Sequence, residues 1–116
     1  MKSHTRRAVA YIAKSIVRQK AGTSVYDYST SRYYSFSGNP NKDHISAYDY
    51  SESCHVSGSL PTVYHCGNGK HISLQLNDNN FTGYDYDGSC HFSGSINGNN
   101  VSLYDYGESK YFNYSA

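Results

Sequence analysis

The sequence predicts a mainly β fold: an antiparallel meander of about ten short strands from five Tyr-Asp-Tyr hairpin repeats. The meander forms a curled sheet or barrel, with one N-terminal amphipathic α-helix. Three observations carry this. A Tyr-Asp-Tyr motif recurs at near-regular spacing, runs of about six residues are separated by Gly, Asn, Asp and Ser, and one basic segment with helical periodicity precedes them.

The chain has 116 residues, enough for one domain, with 14 Tyr, 10 Gly, no Trp and few large aliphatic residues. Its polarity suggests disorder, but aromatic and β-branched residues recur in register, which disordered segments lack. The net charge of +1 is unevenly divided. Lys2, Arg6, Arg7, Lys14, Arg18 and Lys20 occupy the first twenty residues, where there is no acid, and all nine acids come later. A basic helix against a mildly acidic sheet is one expectation, and a helix facing an anionic partner is the other.

Residues 5–19 read as the helix. Val9, Ile12, Ala13, Ile16 and Val17 form a stripe, most cations lie away from it, and Gly22 is a suitable stop. A docking helix, residues 1–22, is preferred to an organelle transit peptide, and no apolar run is long enough for a membrane span. Residues 23–116 form the hairpin-repeat part of the same single domain.

The repeats begin at Val25-Tyr26-Asp27-Tyr28, Ala47-Tyr48-Asp49-Tyr50, Val63-Tyr64-His65-Cys66, Gly83-Tyr84-Asp85-Tyr86 and Leu103-Tyr104-Asp105-Tyr106. From Tyr26 through Tyr48, Tyr64, Tyr84 and Tyr104 the spacings are 22, 16, 20 and 20, all even. Even changes preserve which face of a strand each residue occupies, so the repeat keeps one inside and one outside. Three-residue loops are expected at Ser51-Glu52-Ser53, Gly67-Asn68-Gly69, Asp87-Gly88-Ser89 and Gly107-Glu108-Ser109. Asn77-Asp78-Asn79 and Asn97-Gly98-Asn99 link successive units, and Leu60-Pro61 makes a tight turn.

That register puts Tyr48, Tyr50, Tyr84, Tyr86, Tyr104 and Tyr106 on the core face with Val56, Ile72, Phe92 and Phe112. Asp49, His55, His65, His71, Asp85, His91 and Asp105 share the other face, which Val25, Val63, Phe81, Val101 and Leu103 also join. A helix about 22 Å long cannot cover ten strands spanning roughly 48 Å, so the sheet must curl, close, fold over or pair with another subunit. The expected place for the helix is against the aromatic face.

Two sites follow from this register. His55 lies opposite His65, close enough to share Zn or Ni with His71, and Asp49 or Asp85 could complete the set. The plainer reading is a structural Asp–His ladder. Cys54 lies opposite Cys66 as a pair of reduced thiols, because three cysteines do not make a disulfide framework and a reducing cytoplasm is the default. Rows of Tyr48, Tyr50, Tyr84, Tyr86, Tyr104 and Tyr106 lining a concave face could hold a sugar-like ligand.

No strained nucleophile turn, phosphate loop or Cys-x-x-Cys is present, so catalysis is not expected. The acidic sheet argues against nucleic acid. The Tyr-Asp repeats over residues 25–115 resemble the YD repeats of large bacterial Rhs-type surface and toxin proteins, which build β-hairpin shells. The Gly-Arg-Leu that follows Tyr-Asp in that family is missing from all five units. Choline-binding repeats are similar in length but rely on Trp. The function expected is a non-enzymatic interaction or structural module, self-associating or bound to a protein partner, with no required cofactor.

Overall fold

The computed structural model describes residues 1–116. One helix, α1 (Ser3–Arg18), is followed by ten strands: β1 (Ser24–Asp27), β2 (Arg32–Gly38), β3 (Ile45–Asp49), β4 (Cys54–Ser59), β5 (Thr62–His65), β6 (Lys70–Asn77), β7 (Asn80–Asp85), β8 (Cys90–Asn97), β9 (Asn100–Asp105) and β10 (Lys110–Ser115). Each strand pairs antiparallel with its sequence neighbour, and β1 also pairs with β10, so the meander closes into a barrel. Closure leaves no open sheet edge.

The hairpin loops differ from expectation by one residue, and this has large consequences. Asp49 pairs with Cys54, His65 with Lys70, Asp85 with Cys90 and Asp105 with Lys110. The loops therefore hold four residues, such as Tyr50 to Ser53, not three. Their last residue has positive φ: Ser31 56°, Ser53 52°, Gly69 64°, Ser89 54° and Ser109 57°. At the other end of the barrel, two-residue turns at Leu60-Pro61, Asp78-Asn79 and Gly98-Asn99 link the units.

A one-residue change of loop length inverts one strand of a hairpin relative to the other. The second strands keep the expected face: Val56, Ile72, Phe92, Ile96 and Phe112 are buried. The first strands are inverted. Asp27, Asp49, His65, Asp85 and Asp105 point into the barrel with Val25, Val63, Phe81, Val101 and Leu103, and the motif tyrosines lie outside. His55 consequently faces Tyr48, and the expected pairings of His55 with His65 and Cys54 with Cys66 do not form in the ladder.

The helix also sits differently. It does not dock by one stripe; from Thr5 to Ser15 every residue is buried, including Arg6, Arg7 and Lys14. α1 runs inside the barrel and is its core. Ala8, Ala10 and Ala13 are fully buried, and Tyr11 stacks on Phe36 with centroids 4.8 Å apart. The Tyr11 hydroxyl donates to the Gly22 carbonyl at 2.9 Å.

Two interior glycines make room for aromatic rings. Gly83 lies opposite Phe92, and Gly94 lies opposite Phe81. Each ring folds across its glycine partner, so a Cβ on Gly94 would strike the Phe81 ring and the Ser102 carbonyl. Gly94→Ala is expected to destabilise the barrel by about 1–3 kcal/mol, read from the urea midpoint. An unchanged midpoint would show that Phe81 can move aside at no cost.

Candidate functional site

At the loop end of the barrel, the inward residue of each repeat has two tasks. One atom closes the following loop. Asp27 Oδ1 accepts from Ser29 N at 2.9 Å and Ser29 Oγ at 2.6 Å. Asp49 Oδ1 accepts from Ser51 N at 3.1 Å and Ser51 Oγ at 2.8 Å. Asp85 Oδ1 accepts from Asp87 N at 3.0 Å, and Asp105 Oδ1 from Gly107 N at 2.8 Å. His65 does the same through Nδ1, which accepts from Gly67 N at 3.0 Å. These are side-chain-to-backbone turns of the kind that favours Asp.

The second atom faces the lumen, where the helix supplies cations. Arg6 Nη1 donates to Asp105 Oδ2 at 3.0 Å, and Arg7 Nη1 donates to Asp27 Oδ2 at 3.5 Å. The amino group of Met1 lies 3.2 Å from Asp105 Oδ2. Both guanidiniums stack on barrel rings, Arg6 on Phe112 at 3.7 Å and Arg7 on Tyr34 at 3.6 Å. The first turn of α1 contains no acid and no capping side chain, so its positive dipole end meets the wall carboxylates instead.

The third member of the set is a hydrogen-bonded pair of wall residues, His65 and Asp49. Because Gly67 N–H donates to His65 Nδ1, the proton sits on Nε2, which donates to Asp49 Oδ2 at 3.2 Å. His4 packs its ring 4.8 Å from His65 and reaches Asn68 at 2.6 Å and Glu52 at 3.3 Å. Asp85 Oδ2 has no partner, nor do Arg6 Nε, Arg7 Nε and the Tyr114 hydroxyl. All four of these atoms are sealed inside the wall.

The residues anticipated as metal ligands do not converge. His65 is inside, whereas His55 and His71 are exposed on the outer face. No three His, Cys, Asp or Glu side chains come together as a set able to hold a metal ion. The cysteines are free: Cys54 is half-buried, Cys66 exposed and Cys90 buried. Desolvation and the neighbouring Cys66 thiol both hold the Cys54 thiol above its ordinary range.

The anticipated tyrosines are brought together, but on the convex wall instead of a concave one. Each unit presents a small aromatic cluster. Tyr48 packs on Tyr50 at 4.8 Å and on His55 at 4.9 Å, and Tyr84 on Tyr86 and His91, both at 4.8 Å. Tyr104 packs on Tyr106 and Tyr111, both at 4.7 Å, and Tyr26 on Tyr28 at 4.9 Å and Tyr33 at 4.7 Å. Together they girdle the loop end of the barrel. The largest concavity, about 680 Å³, lies at the opposite mouth among Ile16, Val17, Leu60, Leu74 and Leu76, away from the tyrosines.

No family model matches the chain, and neither does any curated protein or solved structure compared with it. The site is therefore described by its geometry alone: a sealed lumen with two arginine–aspartate pairs, and an aromatic outer girdle. A basic helix against a mildly acidic sheet was one expectation, drawn from the separation of acid-free helix and acidic repeats; the particular pairs and their place in the lumen were not anticipated.

The ion pairs make a pH prediction. Burial opposes ionisation of Asp49 and Asp105, but hydrogen bonds from His65 and Ser51 in one case, and the Met1 amine, Gly107 and Arg6 in the other, hold both below the ordinary carboxyl range. Both groups then bind protons less readily folded than unfolded. Their stabilisation is complete above the unfolded value of about 4 and is lost as pH falls through the lower folded values. Urea unfolding should show this loss in the parent chain and a shallower one in Asp49→Asn/Asp105→Asn. Equal acid sensitivity in both chains would assign the effect to other groups.

Proposed function

We propose that this chain is a non-enzymatic interaction module that associates with further copies of itself through tyrosines on its outer wall. The carrying observation is the seam of the barrel. Pairing of β1 with β10 makes the first and last repeats neighbours, and these are the two units whose second strand carries Tyr in place of His. Tyr26 with Tyr33 and Tyr104 with Tyr111 thus flank the seam as two tyrosine pairs, staggered along it because Tyr26 pairs with Ser115. Tyr33 is 75% exposed and Tyr111 65%.

Tyrosine set among Ser, Asn and Gly suits protein recognition. The ring supplies rigid contact area at little entropic cost, and the small polar residues supply adaptable hydrogen bonds. A filled lumen leaves the outer wall as the surface on which a partner can act. That wall bears Ser46, Ser57, Ser73, Ser93 and Ser102, a hydroxyl surface suited to a partner met in water. No helix is long and apolar enough to cross a membrane. Three free thiols are consistent with a reducing compartment such as the cytoplasm.

Sedimentation velocity tests the proposal. The parent chain is expected to associate with rising concentration. Tyr33→Ser/Tyr111→Ser should weaken that association about tenfold or more, the cost of truncating one aromatic anchor worth about 1.4 kcal/mol, at unchanged melting temperature. A parent chain that stays monomeric up to its solubility limit would overturn it.

A further inference from the structure

We propose that the outer wall over β5–β9 carries two equivalent grooves, each of which takes a short neutral saccharide. This surface adjoins the association tyrosines through Tyr104, which packs on both Tyr106 and Tyr111, but neither Tyr33 nor Tyr111 lines a groove, and the inference does not rest on self-association.

The first groove, about 330 Å³, is bounded by Thr62, His71, Ser73 and Tyr86, with Pro61 and Ile72. The second, about 580 Å³, is bounded by Thr82, His91, Ser93 and Tyr106, with Tyr84 and Gln75 among its other residues and Ser73 shared with the first. Adding twenty to each of the first four positions gives the second four. The same hydroxyl, imidazole, hydroxyl and phenol ring therefore recur in the same places one repeat further round the barrel. The grooves lie two strands apart, roughly 10 Å.

The chemistry of the lining selects the ligand. Neither groove is lined by an acidic residue, Lys or Arg. An ionic ligand would find no charge-assisted partner there. Serine and threonine hydroxyls and the imidazoles can donate and accept, as a rim of sugar hydroxyls requires. The tyrosine at the edge offers an aromatic face for the C–H face of a pyranose while its hydroxyl stays in water. Volumes of this order fit a mono- or disaccharide end, not a polymer threaded through a tunnel. Two such sites on one rigid wall favour branched or multichain glycans through effective concentration.

The unit at Tyr48 departs from this pattern. His55 and Ser57 are present, but Cys66 stands where Tyr86 and Tyr106 stand in the next two units. The stacking ring is missing there.

Native gels cast with soluble neutral polysaccharides (β-glucan, galactomannan or starch), or with dextran sulfate as the charged control, test the inference. The parent chain should be retarded by at least one neutral polysaccharide at low and high salt alike. Tyr86→Ala/Tyr106→Ala should lose at least about fivefold in apparent affinity, a loss of about 1 kcal/mol, with its melting temperature unchanged. Tyr33→Ser/Tyr111→Ser should be retarded like the parent, which separates this site from the association tyrosines. Retardation by no neutral polysaccharide, retardation only by dextran sulfate, or undiminished retardation of the Tyr86/Tyr106 variant would each overturn the proposal.

Discussion

Carboxylates turned into a closed barrel must meet positive charge there, and in this chain the helix, with the amino group just before it, supplies that charge. Asp27, Asp49, Asp85 and Asp105 are all essentially inaccessible to solvent. An isolated ionised carboxylate in such a place would cost far more than a hairpin loop gains from it. Arg6 and Arg7 on α1 answer two of the four, and His65 hydrogen-bonds a third. The same helix solves a volume problem. About eight strands enclose a lumen that side chains can fill, so a ten-stranded barrel needs something more. A helix of 16 residues, buried from Thr5 to Ser15, provides it. Charge and volume together account for a basic segment that is buried all round.

The division of labour within each aspartate links local and global structure. Oδ1 fixes the four-residue loop and hence the hairpin register. Oδ2 then points into the lumen at a height where the helix N-terminus can meet it. At the third unit, His65 keeps the loop bond and adds a donor toward Asp49, so one wall residue hydrogen-bonds another without a helix cation. Asp85 is the exception, its Oδ2 left without a partner. The outer girdle follows from the same geometry, since an inward Asp places the tyrosines on either side of it outward.

Much of this architecture was legible from the residues. The even spacings of the motif revealed ten strands, a meander and a constant inside, and width against helix length required curling or closure. The inversion of the first strands was less legible because a loop of three or four residues leaves nearly the same composition. Val25, Val63, Phe81, Val101 and Leu103 were the available clue. Five apolar residues in phase with the Asp, against tyrosines that can tolerate water, mark the Asp face as the inner one. The metal set at His55, His65 and His71 depended on the three-residue register and separates once a fourth residue enters the loops. The helix cations were expected against a mildly acidic sheet or an anionic partner, and which aspartates they meet was not legible because those partners lie up to 99 residues away in sequence.

The central claim is that α1 is the core of the barrel and not an element docked on it. Native-state hydrogen exchange of the amides from Ala8 to Ala13 tests this most directly. The account predicts that they exchange only through global unfolding, with the same opening free energy as the amides of β8 and β9. Exchange of the helix at a much lower free energy, while the strands stay protected, would show a barrel that stands without its helix and would contradict the account.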